Sequence, residues 1–186
     1  FDVTGIDFNP NALAVAERAA AERGVSARFI ERDMRAIDFD GEFDVAINYW
    51  SSFGYFENEA DDLIVAKRVA KALKRGGRFL VDLTISESLT PVFRPCRWQW
   101  IDDDKTQRVL EEVRWDFNAG RIEADWTFIE HQRIRSSRSS LRIYAYRELC
   151  DLLRAAGFTR FEGFDSFTGK PFAIGSRRLS LVASLA

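Results

Sequence analysis

The chain has 186 residues, 46% of them apolar, and a formal net charge of -2. That length and apolar content fit one domain with a sizeable core and room for a subdomain, and the charge gives no global reason to expect nucleic-acid binding. No apolar run reaches membrane-span length, no signal peptide is visible, and Cys96 and Cys150 lie far apart without a CxxC or histidine-rich partner. A membrane anchor, a disulfide framework and a metal site are therefore not expected, and a reducing, cytoplasmic setting is the default. In chain order, Val3 to Asp7 reads as a strand that ends on an acid, followed by Asn9 as a helix cap and Pro10 as a first-turn residue. Leu13, Ala16, Ala19 and Ala20 form an apolar stripe over a helix from Asn11 to Arg23, with Gly24 as its stop. Strands follow at Ala27–Glu31 and at Phe43–Tyr49, the latter apolar on both faces as a buried parallel strand is. A helix from Glu57 to Lys74 has an acidic start and a basic end that suit its dipole. Gly76-Gly77 closes that helix in this reading, and Arg78–Leu83 is the next strand. Alternation of this kind predicts an α/β fold with a doubly wound, mostly parallel sheet.

From Phe93 to Ala145 the texture changes to tryptophan-rich segments in which apolar and charged residues alternate, with Asn118-Ala119-Gly120 as a hairpin turn. The expectation is an antiparallel insert of about three or four strands with one covered face. The α/β pattern returns with a helix from Arg147 to Ala156, stopped at Gly157, and strands near Arg160–Phe164 and Arg178–Ser184. The expected division is a core over residues 1–90, an antiparallel β cap over 91–145, and the rest of the core over 146–186.

Several segments together carry a resemblance. VTGIDFNPNAL, ERDM, FDVAINYWSSFGYF, LKRGGRFLVDL and YRELCDLLRAAGF are similar, in order and spacing, to segments of the class I S-adenosylmethionine-dependent methyltransferases, in their small-molecule type with a β-rich insert. The resemblance covers Val3 to Leu83 and Tyr146 to Leu185. It implies a Rossmann-like fold and S-adenosyl-L-methionine as cofactor. Asp7 would then accept the ribose hydroxyls, and Asp33 and the Met34 backbone would face the adenine. Phe8, Asn48 and Tyr49 would border the cofactor. The family's first strand and glycine-rich loop do not occur in this sequence. A sheet without its central strand would leave buried inner edges unpaired, so the chain is expected to be part of a longer polypeptide. The alternative is a rearranged domain in which another segment fills that slot.

Each candidate residue also has a plainer reading. Asp7 also suits a helix cap, Phe8 a plug for the sheet edge, and Asp33 a solvated loop position, though the ribose and adenine roles are the favoured readings of Asp7 and Asp33. Trp50, Phe53 and Tyr55 offer an aromatic wall for a sulfonium, worth on the order of 0.5–2 kcal/mol through cation–π attraction, or close the core beneath the insert. Arg142 and Tyr144, where the insert returns to the core, are candidates for the substrate mouth. No catalytic residue is identified outright; His131, the only histidine, and Tyr55 are weak candidates for acid–base help. Arg133, Arg135, Arg138 and Arg142 form a basic run that reads as an anionic contact or as a solvated strand. The expected function is methyl transfer to the nitrogen, oxygen or carbon of a small-molecule acceptor by direct displacement. The alternatives are a polynucleotide acceptor and a non-catalytic binding module, and the insert is also a candidate homodimer surface.

Overall fold

The computed structural model describes residues 1–186. Strand β1 (Thr4–Asp7) feeds helix α1 (Pro10–Glu22), which starts where the Asn9 side chain accepts the Asn11 amide and Pro10 occupies the first turn. Strand β2 (Arg28–Glu31) pairs parallel with β1, Asp7 opposite Glu31. Strand β3 (Phe43–Asn48) leads to α2 (Glu59–Ala72), capped by Asn58, and then to β4 (Leu73–Leu83), parallel to β3.

The long helix stops at Ala72, before the glycine pair that was expected to close it. Gly76 and Gly77 lie inside β4, where the register jumps from Phe43–Leu73 to Val45–Arg78. The extra residues bulge out of the ladder, and glycine suits that bend: Gly76 has φ +71°, and a Cβ on Gly77 would sit 2.7 Å from the Lys74 carbonyl oxygen.

After the short helix α3 (Ser86–Leu89) come β5 (Cys96–Trp100), β6 (Gln107–Asp116), β7 (Arg121–Glu130) and β8 (Arg133–Arg142). They form a separate antiparallel meander in the order β5-β6-β7-β8, the expected insert. Helix α4 (Tyr146–Ala155) then returns the chain to β9 (Arg160–Asp165) and β10 (Leu179–Ser184), an antiparallel pair that extends the core sheet as β3-β4-β10-β9. The core sheet is thus mixed, with its one parallel pair, β3-β4, at one side and this hairpin at the other. β1 and β2 form a sheet of their own. No segment of these residues bridges β1 to β3, so the rearranged alternative is not what the structure shows.

One face of the core sheet carries Phe79, Val81 and Leu83, which sit opposite Ala183, Leu181 and Leu179, all nearly inaccessible to solvent. Val65, Ala66 and Val69 of α2 and Leu149 and Leu153 of α4 cover that face in one cluster with Phe158. Burial of each such large side chain stabilises by about 1.5–3 kcal/mol. The insert leaves and rejoins this core at one place, where the Ser86 amide donates to the Tyr144 carbonyl at 3.0 Å. No helix is long and apolar enough to cross a membrane.

Candidate active site

In an open α/β sheet, ligands bind beyond the carboxyl ends of the parallel strands. Here those ends carry Asp7, the Asp33-Met34 turn, Asn48 and the Asp82-Leu83 pair. The Asp7 carboxylate caps the next turn, with Oδ1 accepting the Asn9 amide at 2.8 Å, and this leaves its second oxygen without a protein partner. Phe8 beside it is exposed. Asp33 starts a short 3-10 turn by accepting the Arg35 amide at 2.8 Å and is forked by the Arg35 guanidinium at 2.6 Å. Those Arg35 hydrogen bonds hold its carboxyl below the ordinary range. Arg35 also reaches Asp61 at 3.0 Å and lies over the Phe56 ring, so Asp33 is part of a brace between β2 and α2.

Asn48, at the end of β3, points its Nδ2 at Met34 Sδ, 3.9 Å away. Its Oδ1 is buried and has no hydrogen-bond partner. An orphaned buried carbonyl is costly, and a hydrogen-bond donor from a ligand bound at this strand end would relieve it.

The loop that follows is strained. Trp50 and Ser51 are consecutive non-glycine residues at φ 57° and 58°, a left-handed conformation that costs about 1–3 kcal/mol at each residue. What holds it is Asp82, on β4 and 0% exposed. The Asp82 carboxylate accepts the Trp50 amide at 3.3 Å and its carbonyl accepts the Ser51 amide at 2.9 Å. Arg178, just before β10, completes the arrangement. It donates to Asp82 Oδ1 at 2.5 Å, Ser51 Oγ at 3.0 Å and Thr84 Oγ1 at 3.2 Å. Ser166 and Ser180 hydroxyls saturate Asp82 Oδ2 at 2.6 and 3.0 Å. The Trp50 indole lies over the Arg178 guanidinium at 5.2 Å yet is 71% exposed. Tyr49 meets it edge-on at 5.7 Å, and Tyr55 is also exposed.

Other expected mouth residues turn inward. Phe53 is 1% exposed and belongs to the core cluster. Tyr144 is 2% exposed, and its hydroxyl donates to Asp62 Oδ2 at 2.6 Å. Arg142 is tied to Glu59 at 2.6 Å, to the Ile143 and Gly120 carbonyls, and over the Tyr144 ring. Phe53, Tyr144 and Arg142 therefore join cap to core and do not line an open mouth. Gly54 sits at their centre: its amide donates to Asp62 Oδ1 and its carbonyl accepts the Arg142 amide at 2.9 Å. With φ +99° and the Arg142 carbonyl oxygen 2.9 Å from where a Cβ would stand, Gly54→Ala is expected to cost about 1–2 kcal/mol, read as a lowered urea midpoint at unchanged slope.

His131 takes a left-handed turn at the β7–β8 tip. Arg121, at the other end of β7, donates to the Phe56 carbonyl, so His131 lies roughly 30 Å along the strand from that junction. The structure thus places His131 at the free tip of the insert, away from the cap–core junction. Sequence reasoning missed Asp62, Asp82 and Arg178. Asp62 was visible as an acid on the same helical stripe as Val65, Ala66 and Val69, and Asp82 as an acid inside the apolar run RFLVDL. Nothing local marked Arg178.

Residues 1–77 match a family model described as a methyltransferase domain. A demethylmenaquinone methyltransferase of Thermus thermophilus is 41% identical over 81 residues, 43% of this chain and 35% of that protein. A crystal structure of an S-adenosylmethionine-dependent methyltransferase from Clostridium acetobutylicum superposes with a TM-score of 0.85 at 18% identity, over 100% of this chain and 76% of that one. An S-adenosylmethionine-bound amino pentose methyltransferase, CalS10 of Micromonospora echinaspora, superposes with a TM-score of 0.69 at 20% identity, over 100% and 74%. The architecture is thus the class I S-adenosylmethionine-dependent methyltransferase fold. The chain spans less than half the length of the curated relatives it matches.

Proposed function

We propose that this chain belongs to an enzyme that uses S-adenosyl-L-methionine to methylate a small-molecule acceptor. The observation that carries the reading is the buried, unpartnered Asn48 Oδ1 at the end of β3, a hydrogen-bond acceptor awaiting a donor where the cofactor's amino acid part and the acceptor would meet. When bound, S-adenosylmethionine supplies a methyl group on a sulfonium, which an acceptor lone pair takes as the carbon–sulfur bond breaks. The free oxygen of Asp7 holds the ribose edge. Asp33 and the Met34 backbone border the adenine, with Asp33 pre-aligned by Arg35. Tyr49, Trp50 and Tyr55 present the aromatic surface over which an acceptor would lie, and the fixed Trp50-Ser51 turn orients it without further ordering. The sulfonium is already a good leaving group, so alignment and desolvation carry most of the work, and the proton released by the acceptor passes to a base or to solvent.

A small acceptor is favoured because half of the basic run is already engaged: Arg138 is bonded to Asp125 at 2.6 Å and Arg142 is tied inside the cap–core junction, which leaves only Arg133 and Arg135 both exposed and unengaged, near the β7–β8 tip. The relatives named for a demethylmenaquinone and an amino pentose support the same class. The test is calorimetric binding of S-adenosylhomocysteine to the protein and to Asp7→Asn, whose amide still caps Asn9. A loss of about tenfold, equivalent to about 1.4 kcal/mol, is expected from the weakened ribose contact. Equal affinities would remove Asp7 from the site, and no binding by a folded polypeptide extended upstream through the glycine-rich loop would remove the methyltransferase reading.

A further inference from the structure

Strand β5 is an edge without protection. It is the outermost strand of the insert, and all five of its residues are exposed. The opposite edge, β8, carries Arg133, Arg135 and Arg138 along its length, the charged screen that keeps edges from pairing. β5 contains no proline, lysine or bulge. Its single charge, Arg97, is bonded to Glu111 of the neighbouring strand. Trp98 is 61% exposed, and its ring meets Trp100 edge-on at 5.8 Å.

The backbone phase of this edge is fixed. Ile101 donates to the Gln107 carbonyl at 3.0 Å and Val113 to the Pro95 carbonyl at 2.7 Å. In an antiparallel pair, inward and outward bonding alternate along the strand, so Arg97 and Gln99 also face β6. Cys96, Trp98 and Trp100 turn their N–H and C=O groups outward, and no other segment bonds to them.

We propose that β5 pairs antiparallel with β5 of a second copy of this chain, centred on Trp98, to give one continuous sheet across a twofold axis. In this register Trp98 exchanges both hydrogen bonds with its own mate, and Cys96 exchanges them with Trp100 of the second copy. Every outward group of the strand is then satisfied, and the interface is isologous. The tryptophans of both copies cover one another on one face. On the other face Arg97 stands opposite Gln99, an acceptor. Charge selects this register: centring on Arg97 would set two guanidinium groups directly opposite, which is unfavourable, and centring on Gln99 mismatches the ends of the strand.

The test is sedimentation and cross-linking of the whole chain. The unaltered protein is expected to sediment as a dimer, and Trp98→Lys as a folded monomer with the same circular dichroism. Hydrogen-bonded antiparallel partners have Cα atoms about 5.5 Å apart, within disulfide reach. Trp100→Cys is therefore expected to form an intersubunit disulfide with Cys96 on mild oxidation. The unaltered protein is not, because its two Cys96 thiols lie at opposite ends of the paired strands and Cys150 is buried. A monomeric unaltered protein, whose edge would be open to a strand from another protein, overturns the proposal. So does a dimer that persists in Trp98→Lys. Absence of the cross-link in Trp100→Cys overturns the register, and its formation upholds it even if Trp98→Lys proves unable to fold.

Discussion

Arg178→Met is expected to destabilise the protein by about 3–5 kcal/mol, the range for stranding one member of a buried ion pair. The size follows from what remains. Asp82 stays fully enclosed, and its carboxylate keeps only the Ser166 and Ser180 hydroxyls and the long Trp50 contact at 3.3 Å. Ser51 loses the Arg178 donor, and the indole of Trp50 loses the cation beneath it. The left-handed turn is then held by fewer bonds while its conformational cost is unchanged. Amide exchange at residues 50 and 51 is expected to accelerate more than at the centre of β4. Adding Asp82→Asn to Arg178→Met removes the stranded charge and is expected to recover a large part of the loss. Urea unfolding measures both, and a single-variant cost below about 1 kcal/mol would show that the pair contributes no more than an exposed one.

Tyr144→Phe is expected to cost about 3 kcal/mol at neutral pH, since it removes a donor from a buried carboxylate and leaves packing volume almost unchanged. Burial pushes the Asp62 carboxyl above its usual value, against the opposing pull of the Tyr144 hydroxyl and the Gly54 amide. A carboxyl with a raised folded pKa binds its proton more tightly in the folded state. Its contribution to stability is therefore present below the unfolded value of 3.8 and lost as pH rises through the folded one. Without the phenol the folded pKa rises further. The difference between variant and parent must then shrink as pH falls from neutrality toward 4. Asp33, Asp38, Asp102 and Asp125, which side-chain hydrogen bonds hold below the ordinary range, affect both proteins alike and cancel in that difference. A gap in melting temperature that is flat with pH would mean that Asp62 does not titrate against this hydroxyl.

The parts of this molecule that were legible in the sequence are those fixed by neighbours in the chain. Asn9-Pro10 marks the start of α1 because a cap and a preset φ act over one turn, and Asn118-Ala119-Gly120 marks the β6–β7 turn for the same reason. The alternation in the insert shows β6 and β7 because one face is covered and the other wet. The glycine pair misled, because glycine serves a strand bulge as well as a helix stop, and only the register between β3 and β4 distinguishes them. The sequence leaves Phe53 open between an aromatic wall and the core, and suggests Tyr144 for the mouth, because an aromatic side chain beside a strand end looks the same whether it points into the core or out of it. The Asp82–Arg178 pair joins positions 96 apart in the chain, and no local pattern announces such a partner.

The hydrogen bond from Ser86 to Tyr144 has a consequence for how this architecture diversifies. The two ends of the insert are already closed by the core, so the chain between them can be lengthened, shortened or replaced at little entropic expense. The core-facing strand ends with Asp7 and Asn48 lie outside that interval. Selection can therefore redraw the four-stranded sheet over one end of the molecule as a cassette, while the scaffold beneath keeps its own packing and its own chemistry.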